Sequence, residues 1–166
     1  MAIKDALLPE FDHEMGSTRR VLERVPPADL AWTPHDKSFT MGKLAAHIAN
    51  INSWAHATLD FPMFDLAAIG DDARPKSPGS VEELLKTFDD NVRKAREKID
   101  AQTDASLLAP WTLKHGAHEM FTMPKISVLR SFVMNHIIHH RGQLTVYLRL
   151  RNVPLPALYG PTADEG

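Results

Sequence analysis

The stretch "PKISVLRSFVMNHIIHHRGQLTVYLRLR", residues 124–151, carries apolar side chains nearly all round a helical wheel. Pro124 suits a first helical turn, and the run predicts a helix over 124–151. Such a helix is buried on more than one side, either centrally or in a subunit interface. Inside it lie three of the chain's nine histidines, within five positions: His136, His139 and His140.

Each helical residue turns about 100°. With His136 at zero, His140 falls near +40°, Gln143 near −20° and His139 near −60°, whereas Arg141 falls near +140°. His136, His140 and Gln143 therefore share a stripe with Leu129, Val133 and Tyr147, and that stripe faces the core. Two histidines at i and i+4 stand about 5–6 Å apart at Cβ and can converge on one cation, which needs a further ligand from elsewhere.

Outward from this helix, three more segments show helical spacing. Over 3–24, Ile3, Leu7, Phe11, Met15, Thr18 and Leu22 recur at steps of three and four, before Pro26-Pro27. A second helix spans 40–58 with Thr40 as its N-cap. Its inward face carries Leu44, His47, Ile48, Ile51 and Trp54. A third opens on Ser80 with Glu83, a capping-box pattern, and shows its apolar stripe from Leu84 to Ile99. The connection "DLAAIGDDARPKSPGS" is long and rich in Pro, Gly and Asp, as a crossover or flexible loop would be. "APWTLKHGAHEMFTMP" allows a short β-hairpin or an irregular excursion. Past Pro154 and Pro156 the chain leaves helix and lies as a tail against the other elements. Four amphipathic helices in one stretch of ordinary domain length predict an all-α fold: a single domain over 1–166, built as a four-helix bundle.

His47 is the strongest candidate for the third ligand, since it sits among apolar residues on another helix. His56, nine residues later, falls on the opposite face; His13 is off the main stripe; His35, His115 and His118 fall in predicted loops. A histidine on an apolar face is more often a core residue with satisfied hydrogen bonds. Three neutral imidazoles buried together need several such partners, and a metal satisfies them at once.

Composition removes other classes. The formal net charge is −2, with no clustered Lys and Arg excess, so nucleic acid is not an expected partner. With no cysteine there is no disulfide, thiolate ligand or cysteine nucleophile. No apolar run reaches the roughly 18 residues of a membrane span, and the charged start has no signal core, so a cytoplasmic protein without membrane attachment is expected.

"NHIIHHRGQLTVYLR" resembles the signature of the DinB/YfiT-like family, His-x-x-x-His-Arg-Gly-Gln. "MGKLAAHIANI" is similar to that family's ligand-bearing second helix, and "VPLPALYGPTADE" to its ending, so the likeness spans nearly the whole chain. It implies a four-helix bundle with a long loop between helices two and three and an extended C-terminal tail, often a homodimer. It also implies a divalent metal, zinc or nickel, held by His47, His136 and His140. His139 would then lie beside the ligands or at an interface rather than bind the ion; Gln143 would orient a ligand or metal-bound water, or serve helix packing alone. Arg141 would face away into an interhelical or surface salt bridge, and Gly142 would permit close helix approach.

Three neutral histidines leave a divalent ion fully charged with an open position, as in catalytic rather than structural sites. Some members of the wider family use a low-molecular-weight thiol, so the resemblance implies a metal-dependent enzyme activating such a thiol for transfer to a small electrophile. A hydrolase is the alternative. It lacks an inward-facing carboxylate beside the histidines; Asp12 and Glu14 on the first helix are the conceivable bases. The third reading is a non-enzymatic metal-binding stress-response protein, with the metal locking the bundle. Trp54 would be either core or the wall of a cleft.

Overall fold

The computed structural model describes residues 2–70 and 76–165. The expected loop between the second and third helices therefore lies partly outside the described residues, at 71–75.

Helix α1 runs Ile3–Leu22 and buries Leu7, Phe11 and Met15. The expected second helix divides into α2, Met41–Ile51, and α3, Trp54–Asp60. Thr40 caps α2 by accepting from the Lys43 amide at 3.2 Å. The break has a local cause. Ser53 Oγ donates to the Asn50 carbonyl at 2.7 Å and Asn50 Nδ2 to the Ala46 carbonyl at 2.8 Å, and such side-chain bonds compete with the helical ladder. Helix α4, Val81–Asp100, starts at Ser80, whose Oγ accepts from the Glu83 amide at 3.1 Å. The short α5 spans Asp104–Leu108.

The strictly all-helical expectation does not hold, because three strands form a small sheet. β1 is Met63–Asp65, β2 is Pro110–His115 and β3 is His118–Pro124. β2 and β3 make the antiparallel hairpin that "APWTLKHGAHEMFTMP" allowed, turning at Gly116, whose φ of +60° suits a residue without Cβ. β1 adds in parallel to β2, giving the order β1-β2-β3.

The fourth helical segment is continuous but not uniform. α6 covers Lys125–Val128, a π-helical stretch follows over Leu129–Met134, and α7 runs Asn135–Leu150. Helix α1 packs on α4 and α7, and α2 packs on the same two helices. Their contact faces share one apolar core that includes Phe11, Leu44, Ile48, Phe88, Ile137 and Leu144. The tail after α7 lies against this core through Val153, Leu155 and Leu158. Arg24 and Arg149 pair with Glu165 and Asp164 of the tail. No helix among the described residues is long and apolar enough to cross a membrane.

Candidate metal centre

Helices α2 and α7 pack together, and each presents histidine from the contact face. The His136 and His140 rings lie one turn apart on α7, with their Nε2 atoms 2.8 Å from each other. From α2, His47 Nε2 approaches His136 Nε2 to 3.4 Å. One nitrogen from each of the three falls within 4.8 Å of the others. No carboxylate joins the group among the described residues.

Proton placement decides what this cluster can do. His140 Nδ1 donates to Gln143 Oε1 at 2.7 Å. The backbone carbonyl of Phe132 likewise favours a proton on His136. His140 Nε2 is therefore a lone pair turned into the cluster, 2.8 Å from His136 Nε2. Burial is the main cause that keeps all three imidazoles neutral. It pushes His47 down to about 4, helped by His140 and His136. It also lowers His136 and His140, against the pull of Phe132 on the first and Gln143 on the second. Three neutral imidazole nitrogens converging this closely can offer their lone pairs to a single cation. The donor set, three imidazole nitrogens with the outer nitrogen of His140 already held by Gln143, suits a first-row divalent ion.

The other candidates fall elsewhere. His139 is solvent-exposed; its ring packs 4.8 Å from that of His140 and contributes no nitrogen to the group. His56 lies on α3, outside the group, with a buried and unpartnered Nε2. His115 and His118 face each other across the hairpin turn. Gly142 does not serve close packing: a Cβ built there meets nothing within 4 Å. Arg141 is 2% exposed and ion-paired with Glu14 at 2.8 Å, an interhelical and deeply buried bond. Tyr159 from the tail donates to the same carboxylate at 2.8 Å and accepts from Arg141. Glu14 is thus occupied, and Asp12 is held by Arg96 at 2.8 Å. Neither is a base for the histidine cluster.

Trp54 turns out to be 42% exposed, so it is a wall rather than core. Its ring stands 5.2 Å from that of His136 and 6.1 Å, edge-on, from that of His47. It borders a cavity of about 1050 Å³ that His47 also lines. The sheet supplies part of its lining, through Phe64, Leu113 and Phe121. Helical periodicity does not mark these residues as part of a site. The signal available for them was the alternation of "WTLKH" against "HEMFTM".

The sequence model of the DinB family matches residues 1–166. An uncharacterized protein of Bacillus subtilis (strain 168), YrdA, is 25% identical over 171 residues, covering 97% of this chain and 90% of that protein. Two crystal structures share the fold. A DinB-like protein from Bacillus cereus ATCC 10987 superposes with a TM-score of 0.75 at 22% identity, over 95% of this chain and 98% of that one. The DinB-like protein YjoA from Bacillus subtilis gives a TM-score of 0.69 at 18% identity, over 93% and 99%.

Proposed function

We propose that this chain, which belongs to the DinB family, is a metal-dependent enzyme which activates a low-molecular-weight thiol for transfer to a small electrophile. The ligands would be His47, His136 and His140, and the ion zinc or nickel. The observation that carries this reading is the convergence of one nitrogen from each of His47, His136 and His140 to within 4.8 Å of one another, beside a large cavity. When bound, a divalent ion held by neutral imidazoles keeps its full charge and supplies a Lewis acid strong enough to deprotonate a coordinating thiol.

The chain's own groups have separate tasks. Gln143 accepts from the outer nitrogen of His140 and so aims its inner nitrogen into the cluster. Trp54 stands beside the cluster, its ring 5.2 Å from that of His136. The cavity receives the second substrate. Hydrolysis is the weaker alternative, because Glu14 and Asp12 are both committed to arginines. A homodimer is part of the same reading, and the exposed Val146 and Leu150 on α7 offer it apolar surface.

The test is elemental analysis of untagged protein, followed by thiol conjugation to a model electrophile with and without metal. One equivalent of zinc or nickel and metal-dependent conjugation, both lost in His140→Ala, are expected. Metal uptake without conjugation by any common thiol would favour the non-enzymatic metal-binding reading. Less than about half an equivalent, unchanged in His136→Ala, would sink the site itself.

A further inference from the structure

The small sheet places one apolar residue from each strand in a single row. Phe64 of β1 pairs with Leu113 of β2, and Leu113 pairs with Phe121 of β3. Paired residues point to the same face. The next row, Met63, Thr112 and Thr122, points to the other face, where Met63 is exposed and the two threonine hydroxyls bond at 2.7 Å. Phe121 then stacks on Phe132 with centroids 4.8 Å apart and planes at 13°. Phe132 lies in the π-helical stretch one turn before His136. The row therefore runs unbroken from the sheet to the helix that bears two of the histidines.

This row is not sealed into the core. Phe64, Leu113 and Phe121 are half-buried and Phe132 is 36% exposed, all facing the cavity of about 1050 Å³. That volume accommodates a drug-sized molecule. The polar side chains on the helical wall are already engaged. Asn50 donates to Ala46, Ser53 to Asn50 and Thr58 to Trp54, each to a backbone carbonyl at 2.7–2.9 Å. No carboxylate lines the cavity among the described residues, and Lys76 is its charged group. The wall thus offers an occupant mostly apolar area, with His47 among its polar groups.

We propose that the electrophile handled at this site is carried on an uncharged aryl or medium-length alkyl group, seated between Trp54 and the Phe64–Leu113–Phe121–Phe132 row with its reactive end toward His47. This inference rests on the metal-and-thiol reading for the word electrophile; the apolar subsite itself does not depend on metal.

The experiment is fluorescence titration of the full chain with the neutral probe N-phenyl-1-naphthylamine, then displacement by n-alkanols from butanol to decanol. Saturable binding of one probe per chain is expected, with each added methylene tightening displacement by about three- to fourfold until the cavity is filled. Leu113→Glu and the more exposed Phe132→Glu should each weaken binding more than tenfold, with a cooperative melt showing the variant folded. His136→Ala/His140→Ala should lose metal uptake yet bind the probe within twofold of the parent. A flat alkanol series, or parent-like binding by both glutamate variants, would overturn the subsite. So would probe binding that disappears as the protein dimerises, since a second copy would then fill the cavity. Probe binding as described in a protein that takes up no metal would fault the metal reading alone; metal-dependent conjugation with a flat alkanol series would fault the subsite alone.

Discussion

Gln143 Oε1 accepts a hydrogen bond from His140 Nδ1 at 2.7 Å, one helical turn from the cluster it serves. That bond fixes the tautomer in which His140 Nε2 is a lone pair. Gln143→Leu should therefore weaken metal binding by about 10- to 100-fold with the fold intact. Chelator competition measures the loss, and Gln143→Glu, which keeps the acceptor, should restore affinity. Equal affinities in all three proteins would show that the bond does not orient the ligand.

Metal should stabilise the chain by simple linkage. At a free concentration 100 times Kd, about 2.7 kcal/mol is expected, or a rise in Tm of roughly 5–10 °C for a chain of this size. The rise should vanish in His47→Ala, because the remaining pair on α7 lacks its partner from α2. A melt that ignores zinc and nickel alike would contradict the ligand assignment.

The metal-free protein should lose stability on acidification in a defined window. His47 is held well below the ordinary imidazole value of 6.5, near 4, chiefly by burial. The unfolded chain then takes up protons first as pH falls. Stability from this source is complete above about 6.5, declines below it and is gone near 4. His136 and His140, lowered for the same reason, act in the same direction. Denaturant midpoints of the parent and His47→Phe should run parallel above pH 7 and converge or cross toward pH 4, which removes the shared contribution of carboxylates.

Arg141 and Glu14 form a pair that is 2% and 9% exposed at the side chain, with Arg141 also donating to Thr18 Oγ1 at 3.2 Å. Removing one partner strands the other without water. Glu14→Ala should cost about 3–5 kcal/mol. Tyr159→Phe, which removes a single hydroxyl from the network, should cost about 1 kcal/mol. Urea unfolding of both variants and the double variant reads the coupling; a cost below 1 kcal/mol for Glu14→Ala would show that the pair is not as dry as its burial indicates.

Gly142 stands mid-helix with open space where a Cβ would go. Gly142→Ala should stabilise an isolated chain by about 0.5–1 kcal/mol through helix propensity. If the protein instead loses Tm in proportion to lost dimer, measured by sedimentation, this face of α7 packs against a second copy.

How legible the site was depended on how local its geometry is. His136, His140 and Gln143 lie within eight residues of one helix, so a wheel suffices. His47 was legible because it interrupts an apolar face. The sheet was not, because β1 is a three-residue strand whose partner, β2, comes more than forty residues later in a parallel pairing. Alternation cannot announce a strand that short. The Arg141 partner was within reach. Leu7, Phe11, Glu14, Thr18 and Val21 follow steps of four and three along α1, so a glutamate occupies a seam position where an apolar residue belongs. That exception was the visible sign of a buried ion pair. The division of the second helix at Asn52–Ser53 depended on side-chain bonds to nearby carbonyls, which periodicity does not register.

The π-helical stretch over Leu129–Met134 has a bearing on how this gene can change length. A π turn accommodates about one residue beyond the α-helical path. Deleting one residue there should relax the stretch to ordinary helix while leaving α6 and α7 in phase, so the histidines keep facing α2. The same deletion at an ordinary turn of α2 before His47 would swing that ring by about 100°. The helix carrying the two histidines thus contains its own slack, and length variation in this stretch is the kind this architecture can absorb.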